Sequence, residues 1–223
     1  MNSIDTKRQA RLAGLIYLLF FVTGALAAWC WKGLIAAGDP GVTAAHMLGD
    51  EELFRAGVAF VLVSTGFYVA LAALFYRLFE PVSRTLSLAA AFFAVVGCAI
   101  QATGAAFALM ALGVLKEGQS AIYGAADQVR GLSTLLLKLD EQAVTVALVY
   151  FAIYCLLVGI LIMRSTFLPG ILGACLAVAG VGWLTYLYAP LAHHVSAYVQ
   201  AFGALAELAL MSWLVVKGVR SRS

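Results

Sequence analysis

Residues 143–163 read AVTVALVYFAIYCLLVGILIM, a run of 21 residues without a charged side chain. As a helix it would extend about 31 Å at 1.5 Å per residue, enough to cross the hydrocarbon of a bilayer. Similar apolar segments recur at residues 12–31, 53–76, 86–115, 168–188 and 195–216. With hydrophobic residues at 64% and charged residues at 11%, a soluble core accounts poorly for the pattern. The expected fold class is all-α, an integral membrane bundle of six transmembrane helices forming a single domain over residues 1–223.

The segments between these runs alternate in charge. Lys7, Arg8, Arg11, Arg77, Arg84, Arg164, Lys217, Arg220 and Arg222 fall in one set. Asp39, Asp50, Glu51, Glu52, Glu117, Asp127, Asp140 and Glu141 fall in the other, with Lys32, Arg55, Lys116, Arg130 and Lys138. Basic residues concentrate on the cytoplasmic side of membrane proteins, so both termini are expected inside. Lys7 to Ala27 also has the outline of a signal peptide, but the length of the run and the Trp29 and Trp31 anchors favour a retained helix.

The longer outer loops carry structure of their own. Between Gln119 and Leu139, apolar Ile122, Ala125, Ala126, Val129, Leu132, Leu135, Leu136 and Leu139 recur at steps of three and four. This predicts an amphipathic surface helix between spans three and four, acting as a lid, a gate or a partner surface. Asp39, Pro40 and Gly41 form a turn signal ahead of a short interfacial helix.

Four stretches carry a family likeness: RLAGLIYLLF at residues 11–20, FEPVSRTLSLAAAFF at 79–93, LIMRSTFLPGILGACLAVAGVG at 161–182 and ELALMSWLVVKGV at 207–219. As an ordered set they resemble the bacterial membrane proteins grouped as domain of unknown function 4386, over nearly the whole chain. The closing pattern of that family is matched by Glu207, Trp213 and Lys217. Phe92-Phe93 stands where the family tends to have Phe-Arg, which puts any role for an arginine there in doubt. The resemblance implies a six-span bundle in the bacterial inner membrane and carries no established activity.

Glu207 is the residue that composition does not explain. It lies ten residues before Lys217, about 15 Å along a helix, and a charged carboxylate at mid-bilayer costs roughly 2.5–3.5 kcal/mol on insertion scales. Gln200, Gly203, Ala204, Glu207 and Met211 share one helical face, and Gly97, Gln101, Gly104 and Ala108 form a second small-residue face. Both are expected to look into the bundle. Counting from the inner helix ends brings Ser64, Thr65, Tyr68, Gln101, Tyr150 and Tyr154 toward the level of Glu207. With no cation expected there, the carboxyl is read as protonated near neutral pH and donating to Gln101 or a tyrosine. These seven residues are the candidate ligand-binding or proton-binding set; the alternative is interhelical glue worth roughly 1 kcal/mol.

Other chemistries find little support. His193 and His194 are expected in a short outer turn after Pro190 and His46 in the first outer loop; none has helical metal-ligand spacing, so they are weak metal candidates. Cys30, Cys98, Cys155 and Cys175 are scattered singly and read as packing residues. No phosphate loop, nucleophile elbow or HExxH is present, so no catalytic residue is assigned and no cofactor is expected. The dispersed net charge of +3 argues against nucleic acid. Expected partners are the lipid bilayer, a small apolar or weakly polar ligand, and either a second copy in a homo-oligomer or a membrane partner protein. The leading reading is a protein that binds or moves a small ligand, ahead of a regulatory or interaction subunit and, third, an intramembrane enzyme.

Overall fold

A computed structural model describes residues 3–36, 39–118 and 126–219. Its described elements are helical throughout. They are α1 (Ser3–Trp31), α2 (Pro40–Gly49), α3 (Glu51–Phe79), α4 (Arg84–Gly118), α5 (Ala126–Arg164), α6 (Gly170–Leu184), a 3₁₀ turn (Thr185–Leu187) and α7 (Ala189–Val216). Six of these segments are long and apolar enough to cross a membrane, and α2 is the short exception. Large apolar side chains lie outermost, among them Ile171 at 69% exposure and Val216 at 70%. Such surfaces suit a lipid solvent, where outward apolar residues need no burial.

Local chemistry sets the helix ends. Asp39 caps α2, its Oδ1 accepting from the amides of Gly41 at 2.9 Å and Val42 at 3.0 Å, while Pro40 supplies the first turn. The Ser83 hydroxyl accepts from the Leu86 amide at 3.4 Å at the start of α4. Gly218 closes α7 with φ +65° and donates its amide to Trp213 O at 3.0 Å, the left-handed stop that glycine permits.

The chain divides into two compact units. One comprises Met1–Leu19, Gly66–Cys98 and Thr145–Ser223; the other comprises Phe20–Thr65 and Ala99–Val144. The described basic residues of the expected cytoplasmic set, Lys7 to Arg164 and Lys217, all belong to the first, and the acidic set from Asp39 to Glu141 to the second.

In the first unit, small residues let helices touch. A Cβ on Gly14 of α1 would stand 2.7 Å from Val215 N of α7, and one on Gly97 of α4 would stand 2.7 Å from the Phe151 ring of α5. Along α5 and α6, Gly159 and Gly173 face each other's backbones. Phe79 stacks on Phe167 with centroids 5.8 Å apart and meets Phe75 edge-on at 5.7 Å.

The second unit is built around Met47 of α2, Phe54 and Val58 of α3, Leu112 of α4 and Leu136 of α5. Trp31 joins this core rather than serving as an interfacial anchor. Its ring stacks on Phe54 at 5.9 Å and its indole N–H donates to Phe54 O at 3.2 Å, which satisfies the one polar atom of a partly buried indole. Trp29 is 67% exposed and fits the anchoring role.

Two sequence expectations are corrected here. The amphipathic stripe does not form a helix of its own; from Ala126 on it is the first part of the 39-residue α5, and residues 119–125 lie outside the described residues. From Leu132 to Ala143 no glycine or proline interrupts strong helix formers, so nothing ends the helix before the apolar run begins. Leu136 is buried, and Val129 and Leu137 pack on the core. His193 and His194 lie in α7 rather than in a turn, because Pro190 sits in the first turn of that helix, where its missing N–H and fixed φ favour initiation.

Candidate functional site

Glu207 of α7 is partly buried and receives two side chains from other helices of the same unit. The Tyr17 hydroxyl of α1 hydrogen-bonds its carboxylate. The Cys155 thiol of α5 donates to Oε1 at 3.9 Å. Tyr68 of α3 lies beside the Cys155 thiol. Tyr17 and Cys155 thus meet the same carboxyl, with Tyr68 beside the thiol.

Helix register explains why Tyr17 reaches Glu207. Gly14 brings α1 against Leu214 and Val215. From that crossing, Tyr17 is three residues along and Glu207 seven residues back, a difference in height of about 6 Å that a phenol side chain can span. Ala10, Ala13, Gly14 and Tyr17 all lie on the buried face of α1. Tyr17 is 3% exposed.

Tyr154 completes the cluster. Its ring meets Tyr68 edge-on with centroids 5.5 Å apart, and it lies within electrostatic reach of Cys155, Glu207 and Cys98. The Tyr154 hydroxyl is buried and has no hydrogen-bond partner among the described residues. Tyr68 also packs on Phe151 at 5.0 Å, which closes the aromatic side of the cluster. No ion pair among the described residues includes Glu207.

Of the residues singled out from sequence, Tyr68 and Tyr154 join Glu207. Tyr150 packs its ring against Phe93 at 6.2 Å. Ser64, Thr65 and Gln101 belong to the other unit. There Ser64 donates to Phe20 O at 3.2 Å and Thr65 to Val61 O at 2.8 Å. The side chains bonded to Glu207 are thus Tyr17 and Cys155, where Gln101 or a tyrosine was expected. Of the proposed inward faces, Gly97, Gly104, Ala108, Gly203 and Met211 are buried. Gln200 and Ala204 are exposed, and Gln200 donates to the Tyr186 hydroxyl at 2.8 Å.

Tyr17 is absent from the candidate set because its Cα lies below the level of Glu207 and only the length of the phenol closes the gap. Cys155 was read as packing because it stands alone in sequence. The adjacent pair Tyr154-Cys155 at the level of Glu207 was the available signal. His46 is exposed on α2, and the His193 side chain lies outside the described residues. Among the described residues no three His, Cys, Asp or Glu side chains are grouped to hold a metal.

Six apolar spans and a hydrogen-bonded carboxyl among them define a multi-pass α-helical membrane protein. Residues 12–218 match the family described as Domain of unknown function (DUF4386), and the chain belongs to it. Neither the curated proteins nor the solved structures include a match.

Proposed function

We propose that this protein binds or moves a small, weakly polar ligand at the Tyr17–Tyr68–Tyr154–Cys155–Glu207 cluster. The observation that carries the reading is the buried Tyr154 hydroxyl, which among the described residues has no partner and lies beside a carboxyl with no cation. Packing alone does not call for such a donor, since an unpaired buried hydroxyl costs about 1–3 kcal/mol. A ligand offering an acceptor to Tyr154 and a donor to Glu207 would complete both groups. Mass spectrometry of small molecules retained by purified protein tests this. Wild type is expected to hold one species that falls about tenfold in Glu207→Gln and in Tyr154→Phe, the loss of one good hydrogen bond each. Retention equal in all three proteins, or none above a control membrane protein, refutes the reading.

The same proposal places the chain in the inner membrane of a bacterium with both termini in the cytoplasm. Its support is the segregation of Lys7, Arg8, Arg11, Arg77, Arg84, Arg164 and Lys217 from the acidic helix ends. Reporter fusions at the C-terminus should be active only for a reporter that works in the cytoplasm. Periplasmic alkaline phosphatase activity from that fusion would reverse the topology.

A further inference from the structure

The second unit contains a trough between the N-terminal end of α2 and the first part of α5. Two adjoining cavities of about 630 Å³ and 550 Å³ share Asp39, Pro40, Thr134 and Lys138 in their walls. This is within the size range of small-molecule sites. Along α5 the wall carries Arg130, Thr134, Lys138 and Glu141, which follow one another at steps of four, four and three, and Asp140, which the helix turns away from that face toward α4.

Much of the polar lining is already engaged. Asp39 caps α2 through Oδ1. The Thr43 hydroxyl accepts from Ala36 N at 3.0 Å and donates to Ala36 O at 3.2 Å. Thr134 donates to Arg130 O at 2.8 Å, and Arg130 pairs with Asp127 at 3.6 Å. Two charges of opposite sign are not engaged. Neither the Lys138 ammonium nor the Asp140 carboxylate forms an ion pair or a hydrogen bond among the described residues. Asp140 is half-buried against α4, where a Cβ on Gly104 would stand 2.7 Å from its Oδ1. The absence of a side chain at position 104 makes room for that carboxylate.

These charges decide the ligand class. A simple anion drawn to Arg130 and Lys138 would face Asp39, Asp127, Asp140 and Glu141, and a simple cation drawn to the acids would face the two bases. A molecule with both signs satisfies both sets. The trough also directly precedes the apolar run that starts at Ala143, the level at which lipid headgroups meet a membrane helix. We infer that this trough binds a zwitterion, with its acidic group on Lys138 and its ammonium on Asp140, the two charges left unengaged. The ligand is either an ethanolamine lipid headgroup or a free molecule of the same chemistry.

The test uses the full chain in detergent. Native mass spectrometry would follow retention of phosphatidylethanolamine against phosphatidylglycerol, and calorimetric titration would follow free phosphoethanolamine. One zwitterion per chain is expected, weakened about tenfold by Lys138→Gln and by Asp140→Asn and kept by Lys138→Arg. Lipid retention without binding of the free molecule assigns the site to the membrane, and the converse assigns it to a water-soluble ligand. The inference is overturned if neither binds, if phosphatidylglycerol is held as well as phosphatidylethanolamine, or if binding survives both neutralising substitutions. Lys138 is exposed, so its substitution tests binding without threatening the fold.

Discussion

Gly159→Val is expected to destabilise the protein by at least about 3 kcal/mol and to remove most of the monodisperse species on extraction into mild detergent. A Cβ at position 159 would stand 2.6 Å from Gly173 O and 2.8 Å from Ala177 N. Both are backbone atoms, so no rotamer change relieves the clash. The contact is reciprocal, with a Cβ at Gly173 placed 2.5 Å from Gly159 O, and it repeats further along, where one at Gly180 would stand 2.7 Å from Ala152 O. Lipid is as apolar as a leucine surface, so helix association in a membrane rests on such close van der Waals approach. Separating α5 from α6 by the width of a valine loses contacts along the whole seam. Gly66→Ala is the matched control, because nothing lies within 4 Å of a Cβ there and alanine favours a helix by about 1 kcal/mol. Thermal midpoints read by fluorescence size exclusion compare the two. If both variants unfold at the wild-type temperature, the seam does not hold these helices together.

Glycines in a span otherwise made for lipid suit close packing or a flexible helix, and the structure sets Gly173 and Gly180 against α5 while Gly182 faces Val199 of α7. The six spans were legible in sequence because a bilayer imposes length and apolarity on a segment directly, whatever its neighbours do. Where one helix ends and the next begins was harder to read. The amphipathic stripe at 126–139 and the apolar run at 143–163 differ in pattern but are joined by good helix formers, and α5 runs through both. For the site, a lone carboxylate in a span singled out Glu207 without help from structure. Its partners depend on rotation and crossing points, which periodicity gives for one helix at a time. Tyr17 reaches Glu207 only because α1 and α7 touch at Gly14, and no count of residues from a helix end contains that contact. Ser64 and Thr65 show the converse, since their position suggested a shared site while their hydroxyls bond carbonyls at Phe20 and Val61.

Glu207→Leu and Tyr154→Phe are expected to move stability in opposite directions. Leucine at 207 relieves the desolvation of a carboxyl but leaves Tyr17 and Cys155 without their acceptor. A hydrogen bond contributes about 0.5–1.5 kcal/mol net, and a buried donor that loses its acceptor costs about 1–3 kcal/mol. The 3.9 Å thiol contact contributes little, so the Tyr17 bond dominates and a net loss of about 2 kcal/mol is expected. Tyr17→Phe removes the hydroxyl that bonds Glu207, so in that background Glu207→Leu should cost about 1 kcal/mol less, the coupling expected of groups in one hydrogen-bond network. Tyr154→Phe deletes a hydroxyl that has no partner to lose, and it should hold or raise stability by up to about 1 kcal/mol. Thermal unfolding in detergent compares these four variants with wild type. Equal losses from Glu207→Leu in both backgrounds would mean that Tyr17 and Glu207 do not interact. A clear loss from Tyr154→Phe would mean that its hydroxyl already has a partner within the fold, and the main support for a ligand at this cluster would be gone. A Tyr154→Phe protein that is more stable yet retains less ligand would separate the two roles: the hydroxyl would be kept at the expense of the fold, and binding is the physical benefit that offsets that cost.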